Sequence, residues 1–210
     1  MADVEFFWDP VCPWAWITSR WMRNVQAERP GLTVEWRFIA LRIVNEAKDY
    51  ERDFPDGYVR GHTRGLELLR VAAAVKADLG NDPIGDLYTT FGTRIHVEKD
   101  AASFDEVGGI ERALLQAGLP ERFASAAYDT SHDALIRADT QEALDRCGGN
   151  VGTPTISWSP PDGPSFFGPV ISKAPTGADA VKLWDAITEL GANPWFSELK
   201  RSTRSPPQFD

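Results

Sequence analysis

Cys12 is the residue of this chain best placed to do chemistry, because it stands where a strand turns into a helix. The apolar run over Val4–Trp8 predicts a short buried strand. Pro13 suits the first helical position, where its missing N–H has no partner to lose. The helix N-terminus then favours the thiolate and should lower the pKa of Cys12. A thiolate is the nucleophile of disulfide exchange, so the pattern favours a reactive cysteine over an ordinary buried one.

Position 15 decides how such a cysteine would be regenerated. The chain has Cys12-Pro13-Trp14-Ala15, whereas a resolving cysteine would stand at position 15, one helical turn beyond the first and on the same face. Ala15 occupies that place. Either the protein works with one thiol and an external thiol resolves its mixed disulfide, or a resolving cysteine has been replaced by alanine.

Composition narrows the class of protein. The 210 residues carry a net charge of −9, which argues against general nucleic-acid binding and against adhesion to anionic lipid. No signal peptide and no stretch of membrane-spanning length are recognised, so we expect a cytoplasmic protein with reduced thiols. The two cysteines, Cys12 and Cys147, make neither a disulfide framework nor a metal site. Cys147 is interpreted as structural, and a bond between the two is not favoured.

The first 40 residues predict a β-α-β unit. A helix is expected from Pro13 to about Glu28, with Ile17, Trp21 and Val25 forming one apolar stripe. Residues 32–38 then alternate, with apolar side chains on the even positions, as in a strand with one buried face. Parallel pairing of the two strands requires a right-handed crossover through the helix.

The remaining chain divides into a helical block and a closing β-β-α unit. After a polar, exposed connection over 45–56, helical patterns run from Tyr58 to about Gly148, including segments over 83–95, 104–117 and 131–146. Two strands and a helix over 178–190 follow, and a polar tail from residue 202 is expected on the surface. We predict an α/β thioredoxin fold made of residues 1–44 and 150–210, with an all-helical subdomain inserted at 45–149.

Pro154 completes the predicted site. A thioredoxin fold places its reactive cysteine at the first helix and a cis-proline opposite it, at the start of the third strand; Cys12 and Pro154 occupy these two places. A cis bond would turn the Thr153 backbone outward, where its N–H and C=O could pair with a bound thiol peptide. The alternative is an ordinary trans proline at a strand start.

Supporting residues are predicted around this pair. Pro13 and Trp14 lie inside the motif and should contact the substrate, although Trp14 would equally suit packing against the insertion. Asn45 and Tyr58 flank the junction where the helical block leaves the fold, and could place polar groups on a thiol ligand or be ordinary loop residues. His96 ends a helix, where it could shuttle protons or cap the helix.

Asp9 precedes the motif and has two interpretations. Its carboxylate could accept a proton from the reacting group, but an Asp-Pro pair before a helix more often marks a turn.

Longer motifs carry a resemblance to a known family. They are the Trp-Asp-Pro-x-Cys-Pro-Trp-x-Trp stretch over 8–16, Gly-Thr-Arg-Ile-His over 92–96, Val-Gly-Thr-Pro-Thr over 151–155, Phe-Gly-Pro over 167–169, and Pro-Pro-Gln-Phe-Asp over 206–210. The chain resembles DsbA-like proteins, and more closely the actinobacterial mycothiol-dependent nitroreductases. The resemblance implies a cytoplasmic reductase that exchanges with mycothiol and acts on nitro compounds or small disulfides. The family site has two cysteines, and Ala15 departs from that pattern. The resemblance therefore does not extend to the step in which two cysteines of one chain form a disulfide. A homodimer is left open.

Two alternative functions remain at this stage. Kappa-class glutathione transferases and related isomerases resemble this layout, but they activate a bound thiol with a hydroxyl, and Ser or Thr at position 12 would favour them where Cys12 does not. The second alternative is a non-catalytic thiol- or peptide-binding module, inert because Ala15 removes turnover.

Overall fold

The structure is a computed structural model that describes residues 2–149, 151–201 and 205–209. Three of the predicted features involve residues outside these ranges. The domain boundary at residue 150, the part of the tail at 202–204 and the last residue of the Pro-Pro-Gln-Phe-Asp motif lie outside the described residues.

A mixed sheet forms the centre of the fold. Its strands are β1 (Val4–Trp8), β2 (Val34–Phe38), β3 (Thr155–Trp158) and β4 (Ser165–Phe167), in the order β2-β1-β3-β4. β1 pairs parallel with β2, and the other two pairings are antiparallel. This is the arrangement expected of a β-α-β unit followed by a hairpin, and it confirms the predicted thioredoxin-type fold.

Helix α1 (Pro13–Glu28) makes the crossover between β1 and β2. Ile17, Trp21 and Val25 are buried, as the apolar stripe predicted. Helix α8 (Gly177–Ala192) packs beside α1, and the indole Nε1 of Trp21 donates a hydrogen bond of 3.0 Å to the Ala180 carbonyl. These two helices therefore pack directly against each other.

The helical block lies between β2 and β3. Its α-helices are α2 (Leu41–Val44), α3 (Tyr50–Asp53), α4 (Tyr58–Leu79), α5 (Ile84–Gly92), α6 (Gly109–Gln116) and α7 (Asp133–Arg146). A π-helical turn over Thr93–Val97 continues α5, and 3₁₀ turns join the later helices. The block begins at Leu41, directly after β2; the exact domain division at 45 and 149 stays a prediction.

Three expectations for the block are wrong in detail. The 45–56 connection is not simply exposed, because it contains α3 and its first residue, Asn45, is buried. The helix expected over 104–117 begins only at Gly109, since Gly108 has a φ of +74° and a Cβ at Gly109 would lie 1.9 Å from the Ser103 carbonyl oxygen. The spacing of Leu66, Leu69, Ala73 and Ala77 predicts one buried stripe on α4, but Ala77 is exposed.

An ion-pair network, which we call the Arg37 network, fastens α7 to the sheet. The guanidinium of Arg37 lies 3.0 Å from Glu5 on β1, 2.5 Å from Asp139 and 2.6 Å from Glu142, both on α7. The same guanidinium lies 5.0 Å from the centre of the Phe7 ring. Arg37 is largely shielded from water, so its ion pairs are screened less by solvent than ion pairs on the protein surface.

Candidate active site

The sulfur of Cys12 lies between the start of α1 and the start of β3. Cys12 caps α1, and its Sγ accepts a long hydrogen bond of 3.5 Å from the Ala15 N–H. On its other side the S–H donates to the Thr153 carbonyl oxygen at 3.3 Å. The Thr153–Pro154 peptide bond is cis. The structure therefore brings together Cys12, Ala15, Thr153 and Pro154, four of the predicted site residues.

The expectation of a lowered Cys12 pKa is wrong for this arrangement. Burial raises the pKa of the thiol to about 12, and the nearby charge of Asp9 acts in the same direction, against the backbone N–H groups of Ala15 and Trp14. Only 6% of Cys12 is exposed. The loss of hydration outweighs the helix field, and the S–H of the neutral thiol donates a hydrogen bond to the Thr153 carbonyl. The resting group is therefore a thiol.

Thr153 differs from the prediction in orientation. Its carbonyl does not face solvent for a bound peptide but receives the Cys12 S–H, and its hydroxyl donates to the Phe7 carbonyl at 2.9 Å. The residue is buried. A ligand that pairs with this backbone as a strand would first have to displace the sulfur.

Asp9 is a turn residue whose carboxylate also makes buried hydrogen bonds beside the cysteine loop. Its carboxylate is fully buried and accepts from the Val11 N–H at 2.9 Å and from the Leu41 N–H at 2.7 Å. Helix α4 passes so close that a Cβ at Gly65 would lie 2.8 Å from an oxygen of this carboxylate. Burial raises the pKa of Asp9 to about 7. The carboxylate thus joins the cysteine loop, α2 and α4.

Pro13, Trp14 and Ala15 occupy the first turn of α1 behind the sulfur. Pro13 and Trp14 are half-buried, and Ala15 is completely buried. The half-exposed Trp14 is compatible with contact to a substrate; this role stays a prediction.

His96 lies beside the cysteine loop and does not touch the sulfur in any described contact. Its Nε2 is 2.9 Å from the Pro10 carbonyl oxygen, and since a carbonyl only accepts, Nε2 carries the proton. Burial lowers the pKa of His96 to about 4, so the ring is neutral at physiological pH. A role as a proton shuttle between its charged and neutral forms does not fit this environment, and the ring instead supports the loop.

Asn45 and Tyr58, the two predicted residues at the start of the helical block, have different surroundings. The Asn45 amide donates to the Leu41 carbonyl at 2.8 Å, within the turn that holds Asp9. Tyr58 is 46% exposed, and its ring contacts Phe54 and His62. Both positions remain candidates for contact with a ligand.

Sequence reasoning missed an aromatic cluster around Tyr58, composed of Tyr50, Phe54, Tyr58 and His62. The Tyr50 hydroxyl lies 2.9 Å from His62 Nδ1, and Arg42 lies 4.6 Å from the centre of the Tyr50 ring. A spacing of four residues between successive members was the available signal, because it places side chains on one helical face. The break between α3 and α4 concealed it.

Neither a candidate metal site nor a candidate membrane span is found among the described residues. They contain no group of three or more His, Cys, Asp or Glu side chains that could hold a metal ion. None of the helices in these ranges is both long and apolar enough to cross a membrane.

Comparison with known proteins connects this geometry to a family. The family described as Rv2466c-like, mycothiol-dependent nitroreductase Rv2466c, matches residues 11–201. The uncharacterized protein Rv2286c of Mycobacterium tuberculosis is 32% identical, over all of this chain and 86% of that protein.

Solved structures share the fold at low sequence identity. The probable DsbA oxidoreductase SCO1869 of Streptomyces coelicolor has a TM-score of 0.59 at 17% identity, covering 89% of this chain and 88% of its own. The cytosolic disulfide reductase DsbM of Pseudomonas aeruginosa has a TM-score of 0.52 at 20% identity, covering 77% and 86%. These likenesses establish a DsbA-like thioredoxin fold.

Proposed function

We propose that this chain, which belongs to the Rv2466c-like family of mycothiol-dependent nitroreductases, is a thiol-disulfide oxidoreductase whose reacting group is the Cys12 thiol. The observation that carries the proposal is the position of the Cys12 sulfur. It lies 3.5 Å from the Ala15 N–H at the start of α1 and 3.3 Å from the Thr153 carbonyl beside the cis-proline.

The first step is an exchange in which one sulfur–sulfur bond replaces another. The Cys12 sulfur attacks one sulfur of a disulfide, forms a mixed disulfide with it and expels the other half as a thiol, which takes up the proton lost by Cys12. Because the resting thiol is protonated and buried, attack requires the sulfur to leave the Thr153 carbonyl. We therefore expect its reactivity to rise with pH throughout the neutral and mildly alkaline range.

The second step needs a thiol from outside the chain. Ala15 supplies no thiol to the mixed disulfide, and we propose mycothiol as the molecule that attacks it and restores Cys12. A nitro compound can be reduced by the same two thiols, that of Cys12 and that of mycothiol. The two thiols are oxidised to one disulfide, while the nitro group is reduced to a nitroso group and releases one water molecule. We place these reactions in the cytoplasm, where a pool of reduced thiols is maintained. A homodimer stays a prediction.

The direct experiment is intact-protein and peptide mass spectrometry after exposure to mycothiol disulfide. We expect one mycothiol adduct on Cys12, lost again when reduced mycothiol is added in excess. A Cys12→Ser variant should form no adduct at this position, and a Cys147→Ser variant should retain it. A Cys12 peptide that stays unmodified under these conditions would falsify the proposal.

The raised pKa of Cys12 supports a second candidate function, a thiol- or peptide-binding module without turnover. Such a module would bind mycothiol or form the adduct but would not convert successive equivalents of disulfide. Measuring disulfide reduction with reduced mycothiol as the only reductant separates the two. Several turnovers per Cys12 favour the oxidoreductase, and at most one favours the module.

A further inference from the structure

The 205–209 segment, expected on the surface, carries a side chain that packs inward. Phe209 is partly buried, and its ring stacks on His96 with the ring centres 5.5 Å apart and the planes at 21°. The backbone N–H of Gln208 donates to the Ser172 carbonyl at 2.7 Å. The segment is thus held by a backbone hydrogen bond and by contacts of the Phe209 ring.

Phe209 is one member of a longer stack of five side chains, which we call the Phe209 stack. Its members in order are Arg20, Trp16, His96, Phe209 and Lys99. The Arg20 guanidinium lies 4.1 Å from the Trp16 ring centre, and the Trp16 and His96 rings are 5.8 Å apart at 24°. At the other end the Lys99 ammonium lies 3.9 Å from the Phe209 ring centre. Two cations therefore close a column of three flat rings.

The backbone around this stack takes unusual conformations that bring its members into place. His96 lies in the π-helical turn over Thr93–Val97, a form that is rare and often found at functional sites. Lys99 has a φ of +60°, which is uncommon for a residue with a side chain. A Cβ at Gly92 would lie 2.1 Å from the Trp16 ring, so only glycine permits this turn to approach Trp16. The Gly-Thr-Arg-Ile-His motif thus positions the His96 ring between Trp16 and Phe209.

The stack connects to the cysteine through one hydrogen bond. His96 Nε2 holds the Pro10 carbonyl at 2.9 Å, and Pro10 is two residues before Cys12. The same short loop is closed by the bond from the Cys12 N–H to the Asp9 carbonyl, at 3.2 Å. Fixing the His96 ring therefore restrains the loop that carries the sulfur.

We propose that Phe209 is a positioning residue for Cys12: by completing the stack on His96 it holds the Pro10 carbonyl and keeps the cysteine loop closed, with the thiol buried against Thr153. Release of Phe209 would loosen His96, free the loop and expose the sulfur. The inference rests on the proposed function only in taking Cys12 as the reacting group. It does not depend on which disulfide or nitro compound is reduced.

The test measures how fast iodoacetamide alkylates Cys12, followed on the Cys12 peptide by mass spectrometry so that Cys147 does not interfere. We expect Phe209→Ala to raise the rate by about fivefold to seventyfold, the range for losing one aromatic pair and one cation–π contact. The rate should also reach half its maximum at a lower pH. Phe209→Tyr, which keeps the ring, should react like the unaltered protein. Gln208→Ala is the matched control, because it leaves the backbone donor in place.

A double-variant cycle tests the route through His96. His96→Phe keeps a flat ring in the stack but has no donor for the Pro10 carbonyl, so it should raise the alkylation rate by itself. Adding Phe209→Ala to that variant should then change the rate less than twofold. Phe209→Leu retains apolar bulk without a ring and should resemble Phe209→Ala, which separates stacking from simple burial.

Two results would overturn the inference. One is a Phe209→Ala rate within twofold of the unaltered protein while its thermal unfolding remains cooperative. The other is an equal effect of Phe209→Ala with and without His96→Phe, which would show that the segment does not act through the Pro10 contact. The proposed function fails on a different observation, the absence of a mycothiol adduct on Cys12.

Discussion

Asn in place of Asp9 should make the stability of the protein depend less on pH. The Asp9 carboxyl has a pKa of about 7 in the folded chain against 3.8 for an unperturbed carboxyl. Because the pKa of Asp9 is higher in the folded than in the unfolded chain, the contribution of this carboxyl to the free energy of unfolding is fully present below about pH 4. That contribution is lost as the pH rises to about 7. At about 1.4 kcal/mol for each pKa unit, ionisation costs the folded state on the order of 4 kcal/mol above pH 7.

The substitution Asp9→Asn removes this cost and introduces a smaller one. An amide offers one oxygen where the carboxylate accepts from both Val11 and Leu41, so one buried N–H loses its partner. Such a loss is worth about 1–3 kcal/mol. We therefore expect the variant to be less stable than the unaltered protein near pH 4.5 and more stable, by about 1–3 kcal/mol, near pH 8.

Urea unfolding at four or five pH values between 4.5 and 8 measures the difference directly. Asp162→Asn, a change at an exposed aspartate in the turn between β3 and β4, is the control, because it replaces one carboxyl by an amide without altering the contacts of Asp9. Cys12 provides a second readout. Since the Asp9 charge helps raise the thiol pKa, Asp9→Asn should lower the pKa of Cys12. Parallel stability curves for the variant and the unaltered protein across this range would refute the argument.

Three further substitutions have defined outcomes. Ala15→Cys places a thiol beside the Cys12 sulfur, so oxidation should give an intrachain disulfide that leaves Cys147 free; peptide mapping that finds both thiols still free would contradict this. Gly92→Ala puts a methyl group 2.1 Å from the Trp16 ring and should cost on the order of 3 kcal/mol in urea unfolding, and a cost below 1 kcal/mol would show that the two helices can separate cheaply. Arg37→Met removes the cation shared by Glu5, Asp139 and Glu142; Arg146 still pairs with Glu5 and Glu142, so the main loss is the ion pair with the buried Asp139, and the change should cost on the order of 3 kcal/mol in urea unfolding at pH 7. Because Arg37 holds the pKa of Glu142 below its usual value, part of this loss should disappear at acid pH, and a cost below about 1 kcal/mol at pH 7 would contradict the argument.

The order of the helices and strands could be predicted from the sequence, because each element has its own local pattern of apolar residues. The alternation over 32–38 and the four-residue spacing of Ile17, Trp21 and Val25 each follow from one buried face, and both are confirmed. The placement of Cys12 opposite Pro154 followed from the order of the elements together with the known layout of the thioredoxin fold. The helix expected over 104–117 was wrong because its start depends on Gly109 lying against Ser103, a contact that no periodicity reveals.

The electrostatics of the site could not be predicted in the same way. The sequence shows that Cys12 begins a helix, which favours the thiolate, but it does not show that the sulfur is covered by Thr153 and lies near the Asp9 charge. Similarly, His96 was recognised as a site residue, yet its partners come from two distant segments, at Pro10 and Phe209. Burial and long-range contact decide a pKa, and both depend on the folded chain.

The close approach of Gly92 to Trp16 has a consequence for evolution. The space that a side chain at position 92 would need is filled by the indole, so the two positions cannot enlarge independently. Homologous proteins that carry a larger residue at the equivalent of Gly92 should carry a smaller one at the equivalent of Trp16, and would then lack the flat surface on which His96 rests. Covariation of this pair would separate the lineages that keep the column of rings from those that have lost it.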